Sequence, residues 1–236
     1  MITAATRRDI KMKVLDSFRV DGKVAIVTGG ARNLGNDMAD ALADAGCNLA
    51  ITSRSIERAE AAADTLAKKF GVEVLPIALD VSDYNAVEMA VEKIKLWKGR
   101  IDILINNAGG GGGTPAPTDL FDRPVEAINN LISANLLGTI YCCKAAGKVM
   151  ADQGSGKIIN IGSIAGMVGR DRKMYERTGL AAQPVDYAAA KAGVIGFTRD
   201  LAAYLAPKGV FVNAISPGGF ERGQPRDFID AYSERT

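Results

Sequence analysis

The chain has 236 residues, of which 47% are hydrophobic and 24% charged, a composition typical of a globular protein with one large core. Its formal net charge of +2 produces no basic field of the kind that nucleic acids or anionic membranes attract. It contains no histidine, which excludes Ser-His and Cys-His nucleophiles and the usual imidazole metal sites.

The first 20 residues are predicted to be an N-terminal extension, and residues 21–236 to be one folded domain. The stretch 1–18 carries four basic residues but no apolar run, so it does not have the pattern of a secretory signal. Its basic character leaves an organelle transit peptide as the alternative to a solvated extension. No run in the chain approaches the length that spans a membrane.

From Lys23 onward, short runs rich in β-branched residues alternate with stretches of helical period. Strands are predicted at residues 24–27, 49–52, 72–79, 101–105, 157–161 and 210–215. Helices are predicted at residues 38–45, 56–70, 87–97, 125–150 and 187–205. This alternation is typical of βαβ units, and it predicts a doubly wound α/β fold in which a parallel sheet is buried on both faces.

A glycine-rich turn follows the first predicted strand and opens into a helix. It reads Thr28-Gly29-Gly30-Ala31-Arg32-Asn33-Leu34-Gly35. Glycine lets the backbone approach a pyrophosphate, and the unpaired N–H groups of a helix N-terminus favour negative charge. Turns of this kind also use glycine for geometry alone, but the position after the first strand of an alternating series favours nucleotide binding.

Six further motifs follow the turn along the chain: Asp80-Val81, Asn106-Asn107-Ala108-Gly109, Asn135, Ser163, Tyr187 with Lys191, and Pro217-Gly218. The turn and these motifs, in this order, resemble the short-chain dehydrogenase/reductase family over residues 22–218, and within it the sugar-acid reductases of the gluconate 5-dehydrogenase type. The resemblance implies a Rossmann-type sheet and an NAD(P)-dependent enzyme that interconverts a ketone and a secondary alcohol by hydride transfer.

The resemblance also implies which residues meet the cofactor. These are Thr28, Gly29, Arg32, Asn33, Leu34 and Gly35 in the turn, Ser53 and Arg54 after the second strand, Asp80, Val81, Asn107, Ala108 and Gly109 around the adenosine, and Tyr187, Lys191, Pro217 and Gly218 toward the nicotinamide. Asp80 would accept a hydrogen bond from the adenine amine. Asn33 replaces a glycine of the family motif, and because asparagine tolerates the left-handed backbone, we expect the turn to keep its shape.

The residues after the second strand bear on the choice of dinucleotide. Enzymes that prefer NAD place an acid there to bind the ribose 2′-hydroxyl. Ser53 and Arg54 stand here instead, and Arg32 adds a second guanidinium, which suits a 2′-phosphate. We therefore expect NADP(H) as the preferred cofactor, with NAD(H) as the alternative if both arginines are merely solvated.

Tyr187 and Lys191 lie one helical turn apart, on the same face of the last predicted helix. An ammonium beside a tyrosine hydroxyl favours the phenolate, so a tyrosine can do the acid/base work of the absent histidine. The resemblance implies that Ser163 and Tyr187 contact the reacting oxygen, that Lys191 also holds the nicotinamide ribose, and that Asn135 holds a water linking Lys191 to solvent. Singly, each residue has an ordinary packing or capping role. Their joint order predicts catalysis.

Three features depart from the family pattern. Arg222 stands where a threonine usually holds the nicotinamide carboxamide, and the chain ends at Thr236, before the usual final helix and seventh strand. We expect either an incomplete chain or an unusual sheet edge. The segment 166–186 is longer than usual and must border the substrate cleft. Its cations Arg170, Arg172, Lys173 and Arg177 outnumber Asp171 and Glu176, which predicts an anionic substrate such as a keto sugar acid, against a solvated loop or a subunit contact.

The sequence therefore predicts an NADP(H)-dependent reductase of a small polar ketone that forms a homo-oligomer and binds no nucleic acid, membrane or metal. The alternatives are an NAD-linked polyol dehydrogenase, a 3-oxoacyl-thioester reductase, and a dinucleotide-sensing protein that need not keep the catalytic residues. Cys47, Cys142 and Cys143 form neither a disulfide framework nor a metal-ligand spacing, which fits a reducing cytoplasm.

Overall fold

A sheet of six parallel strands forms the centre of the computed structural model, which describes residues 14–110 and 116–235. The strands are β1 (Val24–Val27), β2 (Asn48–Ser53), β3 (Val74–Ala78), β4 (Ile103–Asn106), β5 (Gly156–Ile161) and β6 (Val210–Ile215). Their order is β3-β2-β1-β4-β5-β6. The doubly wound α/β fold predicted from the sequence is confirmed. The order reverses between β1 and β4, where the carboxyl ends of the strands open a crevice.

Eight α-helices cover the described parts of the sheet and its loops. They are α1 (Asn33–Asp44), α2 (Ile56–Phe70), α3 (Tyr84–Lys98), α4 (Val125–Ile132), α5 (Gly138–Gln153), α6 (Arg172–Thr178), α7 (Val185–Leu205) and α8 (Arg226–Ser233). Local signals set several of their ends. Ser55 Oγ accepts the Arg58 N–H at 3.2 Å to cap α2, and Gly71 ends that helix with a φ of 70°.

Two hydrophobic cores lie on opposite faces of the sheet, because side chains alternate along each strand. Val24 and Ile26 of β1 pack in the core that α3 and α5 cover. Ala25 and Val27, the intervening residues, pack in the core that α1 and α2 cover. Burial on both faces is the reason that β1 reads as a continuous apolar run.

The prediction of one continuous helix at 125–150 is wrong in one respect, because a π-helical turn at Ser133–Leu137 separates α4 from α5. The Asn135 Nδ2 donates to the Leu131 carbonyl at 3.0 Å, so a side chain occupies the acceptor that an α-helical N–H at position 135 would use. Such π turns are frequent at functional sites. Further differences are an earlier start of α1, at Asn33, and the helix α6 inside segment 166–186.

The predicted N-terminal extension lies partly outside the described residues, which begin at position 14. A short 3₁₀-helix spans Val14–Phe18, and the chain joins the body where the Val20 N–H donates to the Ala45 carbonyl at 2.9 Å. Within the residues that the structure describes, no helix is both long and apolar enough to cross a membrane.

Candidate active site

The glycine turn between β1 and α1 has the backbone that the sequence predicts. Asn33 has a φ of 50° and Gly29 a φ of 64°, both in the left-handed region. A Cβ added to Gly35 would collide with the Gly29 carbonyl oxygen, so the turn requires glycine there. Arg32 is the N-cap of α1 and makes no capping bond with its side chain. The first-turn N–H groups of α1 are thus free of a side-chain cap, which fits a diphosphate.

Thr28 and Asn107 tie the ends of β1 and β4 together. The Thr28 Oγ1 accepts the N–H groups of Asn107 and Ala108, each at 3.0 Å. In return, the Asn107 Nδ2 donates to the Thr28 carbonyl at 2.9 Å. The side chain of Asn107 is therefore engaged in holding the crevice between these strands. Ala108 lies beside Gly29, since a Cβ on that glycine would come within 3.2 Å of the Ala108 Cα, whereas Gly109 lies against Asn135. Leu34 is in the first turn of α1.

Asp80 lies at the carboxyl end of β3, close to Arg54 at the end of β2. Its Oδ1 accepts the Ser82 hydroxyl at 2.6 Å and the Ser82 N–H at 2.9 Å. The Ser82 hydroxyl bond, with a contribution from the charge of Arg54, holds the pKa of Asp80 below its ordinary value. Val81 is buried against Gly138, where a Cβ would lie 2.6 Å from Val81 Cγ2. Asp80 is thus an ionised acceptor at this edge.

Arg32 and Arg54 are both exposed, on the β1 and β2 side of the crevice. Ser53 is half-buried beside Arg54, and the Ser53 Oγ accepts the Ser55 N–H at 3.2 Å. No acid stands at the end of β2 or directly after it, because Ser53 is the last residue of the strand and Arg54 and Ser55 follow. This edge therefore presents cations where an acid would repel a phosphate.

Tyr187 and Lys191 project from the first turns of α7. Lys191 is only 4% exposed, and its Nζ lies 5.8 Å from the Tyr187 ring centroid. The Nζ donates to the Ile161 carbonyl at the end of β5, at 2.7 Å. Burial lowers the pKa of Lys191 to about 8. The lysine is still mainly an ammonium at neutral pH, next to the tyrosine ring.

Ser163 follows β5 by two residues and starts a 3₁₀ turn, Ile164–Gly166. The Ser163 Oγ accepts the Ala165 N–H at 3.1 Å. A Cβ on Gly166 would lie 2.6 Å from the Lys191 carbonyl carbon, so this turn packs directly on the backbone of α7. The turn that Ser163 starts therefore lies beside Lys191, one helical turn along α7 from Tyr187.

Asn135 is buried in the π turn, between α7 and the loop that follows β4. Its Oδ1 accepts the Gly110 N–H at 2.8 Å, and its Nδ2 donates to the Gly110 carbonyl at 3.1 Å. Gly193 lets α7 approach this turn, because a Cβ there would lie 2.9 Å from Leu136 Cδ2. The side chain of Asn135 thus holds the loop at Gly110.

Of the four cations in segment 166–186, Arg170, Arg172 and Lys173 were predicted to contact the substrate, and they occupy different positions. The Arg170 Cζ lies 5.4 Å from the Tyr187 ring centroid, and its Nη1 donates to the Gln183 carbonyl at 2.8 Å. Arg172, on α6, lines a cleft of roughly 230 Å³ between that helix and the loop before α4. Lys173 is exposed on α6. Of the three, Arg170 is the one in contact with Tyr187.

The C-terminal segment reaches back to the cofactor edge. Pro217 accepts the Ile164 N–H through its carbonyl at 3.1 Å, and Gly218 follows it. Arg222 forms an ion pair with Asp37 of α1, so its guanidinium lies against the helix whose N-terminus closes the glycine turn. The sequence marked Arg222 as a departure from the family pattern, but it did not predict the ion pair with Asp37. Within the two described ranges, no group of three or more His, Cys, Asp or Glu side chains could hold a metal ion.

A buried ion pair beside Tyr187 was not predicted from the sequence. Arg123, just before α4, donates from Nε to Asp186 Oδ2 at 3.0 Å. Both side chains are buried, with exposed fractions of 4% and 7%. Charged residues at the start of a helix are usually exposed, so the only sequence signal was that Asp186 directly precedes Tyr187.

Comparison with known proteins agrees with this geometry. Residues 23–225 match the family model described as short chain dehydrogenase. The cyclohexanol dehydrogenase of Rhodococcus sp. (strain TK6) is 34% identical over 230 residues, which are 93% of this chain and 82% of that protein.

Two solved structures are similar over most of their length. An NADPH-dependent 3-quinuclidinone reductase from Rhodotorula rubra has a TM-score of 0.80 and 31% identity, and the match covers 98% of this chain and 83% of that one. An NAD⁺-bound xylitol dehydrogenase has a TM-score of 0.77 and 32% identity, with 86% and 72% covered. The chain is therefore a member of the short-chain dehydrogenase family, an NAD(P)-using oxidoreductase that acts on CH–OH groups.

Proposed function

We propose that residues 21–236 form one dinucleotide-binding and catalytic domain, in which Tyr187, Ser163, Lys191 and Asn135 carry the reaction. The observation that supports this most is the buried Lys191 ammonium, 5.8 Å from the Tyr187 ring centroid and bonded to the carbonyl of Ile161, two residues before Ser163. A buried cation beside the tyrosine can stabilise the negative charge that develops on the hydroxyl oxygen when its proton is transferred. The hydroxyls of Tyr187 and Ser163 can then meet one oxygen atom of a substrate, with the Lys191 ammonium beside the tyrosine.

Each side chain has a distinct role in this proposal. The nicotinamide, when bound, supplies or accepts the hydride. The Tyr187 hydroxyl gives a proton to the carbonyl oxygen during reduction and takes it back during oxidation. Ser163 donates a hydrogen bond to the same oxygen and orients it. Asn135 keeps the loop at Gly110 in place and holds the water that resupplies the proton through Lys191.

We propose NADP(H) as the preferred cofactor. Arg54 and Arg32 are exposed at the β1 and β2 edge, and no acid stands after β2 to repel a 2′-phosphate. The similarity to an NAD⁺-bound xylitol dehydrogenase supports the alternative, an NAD-linked polyol dehydrogenase. The dissociation constants of the protein for NADPH and NADH distinguish these two possibilities.

We further propose that the substrate is small, polar and anionic, such as a keto sugar acid. The Arg170 guanidinium lies against the Tyr187 ring and uses one donor on Gln183, which leaves further donors for a carboxylate. Arg172 and Lys173 add positive charge on α6 nearby. A 3-oxoacyl-thioester reductase is the alternative, and it would have no need of a carboxylate-binding arginine.

We propose a reducing cytoplasm as the location, because Cys47, Cys142 and Cys143 are all free thiols. Burial raises the pKa of Cys47 and Cys142 to about 12, so these thiols are poor nucleophiles and have no role in the proposed reaction.

We also propose contact with a second copy of the chain. Leu120, Phe121 and Val125 are exposed apolar side chains, and Phe121 is 93% exposed.

Replacement of Tyr187 by phenylalanine tests the proposed role directly. The panel substrate is the compound turned over fastest among keto sugar acids, polyols, cyclohexanol, steroids and acyl thioesters. Tyr187→Phe removes the dissociable proton, so kcat for the panel substrate should fall by a factor of about 100 or more, while the Kd for NADPH stays within twofold. Tyr204→Phe, an exposed change on the same helix, is the matched control. Near-normal kcat in Tyr187→Phe would overturn the mechanism.

A further inference from the structure

A buried ion pair connects the loop before α4 to the residue next to Tyr187. The Arg123 Nε lies 3.0 Å from Asp186 Oδ2, and the two side chains are 4% and 7% exposed. The positions are 63 residues apart in sequence. Asp186 is the second residue of α7, and its backbone leads directly into Tyr187. The pair therefore fixes the start of the catalytic helix to a different part of the chain.

Arg123 is held more completely than Asp186. Its Nη1 donates to the Pro117 carbonyl at 2.9 Å, and its Nη2 donates to the Ala127 carbonyl at 3.4 Å. Within the parts of the chain that the structure describes, the buried Oδ1 of Asp186 has no hydrogen-bond partner. Asp186 thus depends on Arg123 for its side-chain bond, whereas Arg123 is anchored at three points.

Stability alone does not account for such a pair. The desolvation of two buried charges offsets most of their attraction, and well-packed apolar residues often do as well or better. The first turn of α7 needs an anchor, because its N-cap, Pro184, makes no side-chain capping bond. Asp186 in that turn also interacts favourably with the positive end of the helix. The ion pair supplies a fixed position at the point where α7 begins.

We propose that Arg123 and Asp186 are positioning residues for catalysis: their hydrogen bond holds the first turn of α7 so that the Tyr187 hydroxyl meets the substrate oxygen. The inference rests on the proposed role of Tyr187. Tyr187 also faces Arg170 from segment 166–186 and Lys191 from its own helix. These two contacts reach the ring, whereas the Arg123 bond acts through the backbone. A small displacement of a reacting group lowers the rate of the chemical step more than it lowers binding.

The test uses the full chain with four variants. Arg123→Met and Asp186→Leu remove the hydrogen bond, so each should lower kcat for the panel substrate about tenfold or more, with KM and the Kd for NADPH within twofold. Asp186→Asn keeps an oxygen acceptor for Arg123 and should retain kcat within about threefold. Arg100→Met breaks an ion pair with Asp102 at the other end of the sheet, and it should lower Tm without changing kcat.

The outcomes separate the possibilities. If Arg123→Met and Asp186→Leu lower only Tm, or if Asp186→Asn loses as much kcat as Asp186→Leu, the positioning role is wrong. If Arg123→Met does not fold, the comparison of Asp186→Leu with Asp186→Asn still decides the question. Normal kcat in these variants with an inactive Tyr187→Phe overturns this inference alone. Normal kcat in Tyr187→Phe overturns it together with the proposed function.

Discussion

Lys191 has the most strongly altered titration among the groups at the candidate site. Burial lowers its pKa to about 8, from an ordinary value of 10.5, although the Nζ keeps one hydrogen bond to the Ile161 carbonyl. Between about pH 8 and pH 10.5, Lys191 is mostly protonated in the unfolded chain and mostly neutral in the native chain. The burial of this lysine therefore destabilises the native chain less and less as the pH rises through this range. The value of kcat/KM should change in the opposite direction.

The pH profile of the reaction tests the charge state of Lys191. Since the proposed role of Lys191 requires its ammonium form, kcat/KM for reduction should fall as the pH rises through about 8. An arginine remains charged over this range, so the fall in Lys191→Arg should move to higher pH even if its overall rate is lower. The measurement is kcat/KM for the panel substrate between pH 6 and pH 10. A native profile that stays flat to pH 10 would contradict the role of the ammonium.

At the scale of elements, segment 166–186 is a supported structure. Tyr175 of α6 packs on Phe228 of α8, with ring centroids 5.3 Å apart, and Asp171 pairs with Arg235 at 2.5 Å. Arg170 lies at the base of this unit, against Tyr187. The segment can therefore hold a guanidinium in a defined place at the cleft, which an unsupported loop could not.

Arg170 should discriminate between charged and uncharged substrates. A charge-assisted hydrogen bond is worth about 1.5 to 3 kcal/mol, so Arg170→Ala should lower kcat/KM for a keto sugar acid roughly tenfold or more relative to an uncharged polyol. Lys173→Ala removes a charge from the exposed side of α6 and serves as the control. We expect the effect of Arg170 to be weaker at high salt. An unchanged ratio in Arg170→Ala would show that the segment does not select charge.

For the whole molecule, the strand order separates two halves of the crevice. The β1, β2 and β3 side carries the glycine turn, Arg54 and Asp80, whereas the β4, β5 and β6 side carries Ser163 and α7. The dinucleotide of an α/β sheet lies across the point where the order reverses. In the proposed function, cofactor choice and chemistry therefore lie on opposite sides of that point, and we expect each to change separately.

Arg54→Ala tests this separation. Loss of a charge-assisted bond to the 2′-phosphate should weaken NADPH binding roughly tenfold or more, while the Kd for NADH stays nearly constant. Arg58→Ala, one turn into α2 and also exposed, is the matched control. The measurement is a fluorescence titration with each reduced dinucleotide. Equal weakening of both would contradict a phosphate-specific role for Arg54.

Features that depend on near neighbours in the chain could be predicted from the sequence. Apolar runs and helical periods located six strands and most of the helices, since burial of a strand or a helix face imposes its period directly. The backbone of the turn at Asn33 could also be predicted, because only a few residue types readily adopt a φ above zero. Tyr187 and Lys191 could be paired because four residues make one helical turn.

Contacts between distant segments are visible only in the folded chain. The π turn at Ser133–Leu137 arises where Asn135 bonds Gly110, a contact across 25 positions that a local helical period does not reveal. Arg123 meets Asp186 across 63 positions, and Arg222 meets Asp37 across 185. From the sequence alone, a charged residue is expected to be solvated, because a partner distant in the chain cannot be identified. Burial is a property of the closed fold, and for that reason the sequence indicated the chemistry but not what holds it in position.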